Sequence, residues 1–348
     1  MEKYMIEING SLTSYVFYNE ILSKLHNYYL DDNKQKKLVF DFSLVNSIDP
    51  LVIPNLLCIG YIIKETSNYT PELYIPNNIK FSELKRYLNE INFINLAETF
   101  NLYDFDVSVK AGWKEQGMDK LNTTMYFEYP KFIDNDNVDD SKLRDSIDKA
   151  VTYKFNRFFN KFLSYYNNYN TQTNVLLELS KEIIENSIIH GNSFSFATIQ
   201  YNYNMEKVYL SFSDCGQGFY KSFYNKINDS LFEPKLDGNI KQKIRSLNSE
   251  LDGILLGVYF RYGESFGLYD AVIKVLSKNG TVRIHSNDSQ IILTSNSLVE
   301  LNLCKNERQF LEALKKKKNT IRNNLKYQGT HIEIELPISR GEITSNGI

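Results

Sequence analysis

The first hundred residues alternate between short apolar runs and longer segments in which apolar positions recur with helical spacing. Runs such as KKLVFDFS are typical of buried strands, whereas the 3.6-residue period predicts amphipathic helices. The predicted strands are 4–8, 36–43 and 71–76, and the predicted helices are 13–30, 50–67 and 81–93. Strands that alternate with helices indicate an open α/β layer structure.

A second structural unit follows residues 107–123, where the periodicity is lost and glycine and polar residues increase. We place a linker at 109–123, between a domain of residues 1–108 and a domain of residues 124–348. The second domain is predicted to contain helices 141–166, 175–191 and 266–280, the last closed by Gly280, and strands 124–132, 197–204, 207–214, 281–286, 290–295 and 330–338. Residues 219–264 are expected to be a loose, charged stretch, and residues 287–328 an insertion.

Composition narrows the class of protein. The 348 residues are 42% hydrophobic and 24% charged, with a formal net charge of −2, so the chain can bury cores but has no general attraction for nucleic acid or anionic membrane. The longest apolar run, 51–63, is too short to span a bilayer. Three scattered cysteines show no zinc or disulfide spacing, and the N-terminus lacks a signal-peptide pattern. A cytoplasmic protein that binds neither nucleic acid nor membrane is expected.

Three polar side chains form a column on the helix predicted at 175–191. Glu182, Asn186 and His190 fall four residues apart in KEIIENSIIHG, with isoleucines around them. Four-residue spacing places these side chains on one helix face. Taken alone, Glu182 and Asn186 read as an ordinary exposed face. His190 could equally be a structural histidine at the helix C-terminus, where the dipole favours its charged form.

Three further blocks follow in order. SFSDCGQGF ends a strand with Asp214, Gly216 and Gly218; the carboxylate can accept a hydrogen bond from an exocyclic amine, and the glycines permit a sharp turn and close approach. YGESFGL, with Gly263 and Gly267, opens a helix near Leu268, and free N–H groups at a helix start suit phosphates. A Gly-Thr pair ending at Thr330 then precedes an alternating strand.

The ordered set of E-x-x-x-N, D-x-G-x-G, a glycine loop with a helix, and GT with a strand resembles the GHKL superfamily of ATPases over residues 124–340. EIIENSIIHG is similar to the asparagine-containing box of the anti-sigma serine kinases. The resemblance implies a two-layer α/β sandwich (the Bergerat fold) that binds ATP and Mg²⁺. One departure is the second glycine block, which has Ser265 and Phe266 where the family is richer in glycine.

The resemblance also implies a role for each matching residue. Asn186 would coordinate the Mg²⁺ that bridges the phosphates, and Glu182 would be the catalytic residue that polarises an attacking hydroxyl or water. Asp214 would hold the adenine amine. Gly216 and Gly218 would shape the base pocket, and Gly263, Gly267 and Leu268 would receive the phosphates. Thr330 would lie near the adenine, and His190 would line the nucleotide.

The N-terminal segment KLVFDFSLVNSIDPLVIPNLLCIG (37–60) resembles a STAS-type domain, the fold of anti-sigma-factor antagonists, over residues 1–105. The match is a strand with Asp41, a turn with Asp49, and a helix. Phosphorylatable members carry a Ser or Thr after the second Asp, whereas this chain has Pro50 and Leu51, which cannot accept a phosphoryl group. The chain is thus predicted to be α/β (α+β), a STAS-like domain followed by a GHKL domain.

Two functions remain open at this point. The first is an ATP- and Mg²⁺-binding regulatory protein that acts as a nucleotide-gated protein-interaction switch, with or without slow ATP hydrolysis. The second is an anti-sigma-type protein serine/threonine kinase that acts on a partner in trans through Glu182. Both imply a protein partner, and a homodimer is compatible with either. A sensor histidine kinase would need a phosphoacceptor histidine on the 141–166 helix, which has none.

Overall fold

The protein is a mixed α/β chain with one parallel and one antiparallel sheet. The structure, a computed structural model, describes residues 2–30, 36–67, 69–75, 82–105, 122–127, 140–165, 170–191, 193–228, 238–259, 268–304, 307–317 and 327–338. Within these ranges no helix combines the length and the apolar character needed to cross a bilayer.

The N-terminal part is a four-stranded parallel sheet in the order β1-β2-β3-β4. Its elements are β1 (Lys3–Leu12), α1 (14–30, with a π-helical turn at Phe17–Ile21), β2 (Lys37–Ile48), α2 (Ile53–Thr66, preceded by a 3₁₀ turn at Pro50–Val52), β3 (Glu72–Tyr74), α3 (Ser82–Glu90), α4 (Phe93–Thr99) and β4 (Asp104–Phe105). The strands are parallel, and strands that are neighbours in the sheet are also consecutive in sequence. Right-handed crossovers between such strands place the connecting helices on one face of the sheet. Ile6 and Phe40 face these helices and are fully buried, whereas Met5 on the opposite face is exposed.

The C-terminal part is built on a six-stranded antiparallel sheet in the order β5-β6-β7-β10-β8-β9. Its elements are β5 (Asn122–Phe127), α5 (Asp140–Tyr165), α6 (Asn170–Gly191), β6 (Ser195–Asn202), β7 (Lys207–Asp214), α7 (Gly218–Asn228), α8 (Gly238–Arg245), α9 (Glu250–Tyr259), α10 (Leu268–Ser277), β8 (Thr281–Asn287), β9 (Ser289–Leu293), α11 (Ser295–Asn302), α12 (Glu307–Lys315) and β10 (Tyr327–Pro337).

Alternation along β7 decides what each face of this sheet contacts. Leu210 and Phe212 point to one face and pack in the core formed with α5, α6, α9 and α10. Ser211 and Ser213 point to the other face, where they bond to the 3₁₀ turn before α2 and to α2 itself. Successive strand side chains face opposite sides. The antiparallel sheet is therefore covered on both faces, and the layers follow one another as sheet, helices, sheet and helices.

The expectation that 219–264 lacks regular elements is wrong. Helices α7, α8 and α9 lie within it, with 229–237 and 260–264 outside the described residues. The helices enclose a small apolar core of their own, formed by Phe223, Ile227, Ile244 and Leu256. Charged residues such as Lys221 and Arg245 are exposed on these helices, whereas Glu250 is buried.

Three other boundaries differ from the sequence prediction. The helix predicted at 81–93 is two helices, because Asn92 adopts a left-handed conformation with φ of 67° and breaks the run. Asn279, with φ of 59°, makes the left-handed turn after α10 that was assigned to Gly280. The insertion at 287–328 supplies β9, which extends the sheet by one strand, and the helices α11 and α12. Residues 106–121, most of the predicted linker, lie outside the described residues, and β5 begins at Asn122.

Candidate functional site

Helix α6 carries the Glu182 and Asn186 column as the sequence predicts. Its opposite side buries Ile183, Ile184 and Ile188 in the core, which orients the polar face away from the sheet centre. The Asn186 amide nitrogen donates to Glu182 Oε1 at 2.9 Å, and both residues are half-buried. The bond uses the amide nitrogen of Asn186 and not its amide oxygen, the atom type that can coordinate a cation.

Asp214 ends β7 on the same face of the sheet as α6. Its Oδ1 accepts hydrogen bonds from the backbone N–H groups of Gly216, at 2.8 Å, and Thr330, at 3.1 Å. Ser187 of α6 lies near the same carboxyl and lowers its pKa, whereas its hydroxyl donates to the Ile183 carbonyl at 2.9 Å. Two of the four sequence blocks, the glycine loop and the GT strand, therefore meet at one carboxyl group, and Ser187, the residue after Asn186, lies near it.

The Asp214 carboxyl is held in an environment that favours its protonated form. Only 1% of the residue is exposed, and this burial, assisted by the negative charge of Glu250, raises its pKa from 3.8 to about 7. The Gly216 and Thr330 N–H groups and the Ser187 hydroxyl oppose the rise because they stabilise the carboxylate. At neutral pH this group can therefore act as a hydrogen-bond donor as well as an acceptor.

Two glycines are required by their surroundings here. Gly329 has φ of 103°, and a Cβ at this position would lie 1.9 Å from the Asp214 carbonyl oxygen. Gly218 has φ of 79°, and its Cβ would lie 2.2 Å from the Asn287 amide nitrogen. Both the left-handed φ and the close approach exclude other side chains. The sequence pairing of GT with D-x-G-x-G thus corresponds to direct contact between the two segments.

Glu250 is a site residue that the sequence analysis missed. Its Oε1 accepts from the N–H groups of Phe219, at 2.6 Å, and Tyr220, at 3.2 Å, and from the Ser286 hydroxyl at 2.5 Å. A carboxylate at a helix N-terminus satisfies N–H groups that have no partner within the helix. The start of α7 is therefore occupied by the chain's own carboxylate. Glu250 begins α9, and nothing in its local sequence marks it.

Asn287 and Gln328, also missed, complete the support of the glycine loop. Asn287 donates to the Gln217 carbonyl at 3.1 Å and accepts from Gly329 N at 3.3 Å, while Gln328 donates to the Cys215 carbonyl at 2.9 Å. Asn287 has φ of 47°, a left-handed value that asparagine tolerates. The loop from Asp214 to Gly218 is consequently a braced platform.

A polar cleft of about 680 Å³ opens beside this platform. It is bounded by the loop, the starts of α7 and α9, and the β8–β9 turn; the described residues around it include Ser193, Cys215, Gly216, Gln217, Lys221, Glu250, Asn287 and Gln328. Glu182, Asn186 and Asp214 do not belong to this lining. The cleft is lined instead by Cys215, Gly216 and Gln217, the three residues that follow Asp214.

The other face of β7 is joined to helix α2 and the turn before it by three matched contacts. Ser211 Oγ donates to the Leu51 carbonyl at 2.7 Å, Ser213 Oγ donates to Asn55 Oδ1 at 2.6 Å, and Cys215 Sγ donates to the Cys58 carbonyl at 3.8 Å. Alternate residues of the strand thus meet residues about one helical turn apart. We call this set, Leu51, Asn55 and Cys58 against Ser211, Ser213 and Cys215, the α2–β7 joint.

Beside the joint, charged side chains of the sheet are buried under the N-terminal part. Glu333 pairs with Arg283 at 3.0 Å and accepts from the Asn55 amide at 3.0 Å, yet burial raises its pKa to about 7. Burial likewise raises the pKa of Asp49 to about 6 and lowers that of His285 to about 3. A cavity of about 210 Å³ lies between Asp49, Arg283, Glu333 and their neighbours.

The remaining predicted site residues have different outcomes. Leu268 begins α10 and its side chain is buried in the core. His190 lies in α6, but its side chain is outside the described residues, as are Gly263 and Gly267. The predicted phosphate loop at Gly263 and Gly267 therefore lies outside the described residues. Gly216 does not need a left-handed φ, and it acts instead through its N–H group on Asp214.

Mg²⁺ can be tested against the side chains present. Among the described residues, no cluster of three or more His, Cys, Asp or Glu groups is arranged to hold a metal ion. Mg²⁺ commonly binds through one or two protein ligands plus phosphate oxygens and water. The half-buried Asn186 amide oxygen fits that mode, in which the nucleotide brings most of the ligands.

Comparison with protein-family models, with curated proteins and with solved structures finds no match to this chain. The GHKL and STAS resemblances accordingly stay predictions that rest on the sequence motifs.

Proposed function

We propose that the chain binds ATP with Mg²⁺ and acts as a nucleotide-gated protein-interaction switch. The observation that carries the proposal is the meeting of the glycine loop and the GT strand at Asp214, whose carboxyl accepts from Gly216 and Thr330 and lies near Ser187 of the asparagine helix. A braced, buried carboxyl at a strand end suits recognition of an exocyclic amine. The neighbouring Asn186 suits a phosphate-bound cation.

The gating part of the proposal is supported by the two faces of β7. Asp214 faces α6, and Ser213, the preceding residue, bonds to α2 of the N-terminal part at 2.6 Å. A shift of the strand end on nucleotide binding changes the α2–β7 joint, because residues 213 and 214 share one backbone. The N-terminal part is the element that would report the nucleotide state to a protein partner.

A second candidate is the protein kinase that acts in trans. It is favoured by the Glu182 carboxylate, which contacts Asn186 and so lies one helical turn from the proposed metal ligand. Phosphorylation within the chain at the STAS-like turn is disfavoured. Leu51, at the position of the family's acceptor, is 3% exposed and its carbonyl is bonded to Ser211 on the far face of the sheet. A phosphoryl acceptor would therefore belong to another protein.

Calorimetry of the full chain with ATP and Mg²⁺ tests nucleotide binding. Asn186→Ala and Asp214→Asn should each weaken binding by at least about tenfold, since one charge-assisted contact is worth 1.5–3 kcal/mol. Asn302→Ala, an exposed residue of α11, is the matched control and should bind as the unaltered chain does. The proposal fails if the unaltered chain binds no Mg–ATP, or if both site variants bind with unchanged affinity.

Hydrogen exchange tests the gating separately. Addition of a non-hydrolysable ATP analogue should change exchange of the α2 amides at 53–58, because these residues contact the far face of β7. Unchanged exchange in α2, in a chain that binds the analogue, would remove the switch and leave only a nucleotide-binding protein. Transfer of labelled phosphate to a co-purified protein, lost in Glu182→Ala, would favour the kinase.

A further inference from the structure

Two of the chain's three cysteines meet at the α2–β7 joint. Cys58 lies on α2 and Cys215 follows Asp214 in the glycine loop, 157 positions apart in sequence. Cys215 Sγ donates to the Cys58 carbonyl at 3.8 Å, which places the two cysteines next to each other. Both residues belong to the same apolar core. Cys304, the third cysteine, lies on the other side of the sheet, against the core of the C-terminal helices.

The two thiols differ in their access to solvent. Cys58 is fully buried, whereas Cys215 is 5% exposed and forms part of the wall of the 680 Å³ cleft. Burial and the contact with Cys215 raise the pKa of Cys58 well above its ordinary value, so Cys58 is not the first thiol to react. A small oxidant that enters the cleft reaches Cys215, and Cys58 is the neighbouring cysteine, whereas Cys304 packs against the other core.

We propose that Cys58 and Cys215 form a modification site, a thiol pair that hydroperoxides convert to a disulfide joining the N-terminal helix α2 to the glycine loop. Cys215 sulfur attacks the peroxide O–O bond, giving a sulfenic acid and releasing one water (an alcohol for an organic peroxide). The Cys58 sulfur then displaces the hydroxyl of the sulfenic acid, which leaves as a second water. The two thiols lose two electrons in total, and the peroxide gains them.

The disulfide would act on the segment that holds Asp214. In the reduced chain, the Cys215–Cys58 contact is the weakest of the three in the joint, a single thiol hydrogen bond at 3.8 Å. A covalent bond at that position fixes the first residue of the loop to α2. Movement of the glycine loop relative to the N-terminal part is then restricted, whatever ligand the cleft takes.

Peptide mapping tests the proposal directly. The reduced full chain is treated with hydrogen peroxide, its remaining thiols are alkylated, and it is digested with trypsin without reductant. Cleavage after Lys37, Lys64, Lys207 and Lys221 places the two cysteines on peptides 38–64 and 208–221. These peptides should be recovered as one disulfide-linked species, in at least about tenfold excess over any link to the Cys304 peptide 284–305, because held thiols react at high effective concentration.

Three variants make the result decisive. Cys304→Ser should keep the 38–64 to 208–221 link, and Cys215→Ser should abolish it. Cys58→Ser should leave a sulfenic acid at Cys215 that dimedone traps. The proposal is overturned if Cys304 is oxidised while Cys58 and Cys215 stay reduced, or if Cys215 proceeds to sulfinic acid without linking. Because the link is measured without nucleotide, failure of the chain to bind ATP leaves this test intact.

Discussion

Asn55→Leu removes the amide at the centre of the α2–β7 joint while keeping a side chain of similar shape. Asn55 is fully buried. Its amide nitrogen donates to Glu333 Oε1 at 3.0 Å and to the Tyr18 hydroxyl at 3.2 Å, and its oxygen accepts from Ser213 Oγ at 2.6 Å. Leucine can pair with none of these groups. The variant therefore leaves two hydroxyls and one carboxyl oxygen in the interior with one partner fewer.

The expected loss follows from those three groups. An unsatisfied buried polar group costs about 1–3 kcal/mol, and more when it is charged. The sum is about 4 kcal/mol in the free energy of unfolding, a large share of the roughly 5–15 kcal/mol that folded proteins have. Tyr327, which donates to the Asn55 main-chain carbonyl at 2.9 Å, keeps its bond in the variant and limits the loss.

Urea unfolding followed by circular dichroism measures this change. The control is Asn95→Leu, an exposed asparagine of α4 whose side chain bonds only to Asn92 within the described residues, and it should stay within about 0.5 kcal/mol of the unaltered chain. A loss below about 1 kcal/mol for Asn55→Leu would refute the reasoning. It would mean that the amide network does not join the N-terminal part to the sheet in solution.

Three further predictions concern the Asp214 platform. Gly329→Ala should cost at least about 3 kcal/mol in urea unfolding, because its Cβ would overlap the Asp214 carbonyl; Gly238→Ala, with open space around its Cβ, should be near neutral. Glu250→Ala should cost about 3 kcal/mol, since it removes the acceptor of the first N–H groups of α7, and a thermal shift no larger than that of a surface variant would contradict this. Asp214→Asn should flatten the pH dependence of stability. The folded chain holds the Asp214 proton up to about pH 7, whereas the unfolded chain releases it near 3.8, so the native group makes stability fall as pH rises through that window. Relative to the unaltered chain, the variant should gain on the order of 3 kcal/mol in the free energy of unfolding between pH 4 and pH 8. Parallel stability curves for the two chains would contradict this.

Much of the secondary structure was predictable because each element carries its own period. Helix α6, strands β7 and β10, and the first strands and helices lie within a few residues of the predictions. The failures have local causes. Asn92 ends α3 by adopting a left-handed φ that no periodicity marks, and the charged residues around α8 obscured an amphipathic helix whose Ile244 packs against α7 and α9.

The amino-acid sequence by itself determined two local features of the candidate site. Glycine is the residue that permits φ of 103° at position 329 and the approach to Asp214, and the four-residue spacing of Glu182 and Asn186 fixes their shared face. These are local constraints of backbone conformation and helix period, so a linear pattern contains them.

Only the tertiary structure decided which residues support the glycine loop and which helix contacts the far face of β7. Glu250 at the start of α7, Asn287 and Gln328 around the glycine loop, and the α2–β7 joint all depend on contacts between segments far apart in the chain. Cys58 and Cys215 looked unrelated in the sequence because 157 positions separate them. Their contact arises because α2 lies along β7. The pattern of hydrophobic and polar residues does not specify which helix face packs on which strand.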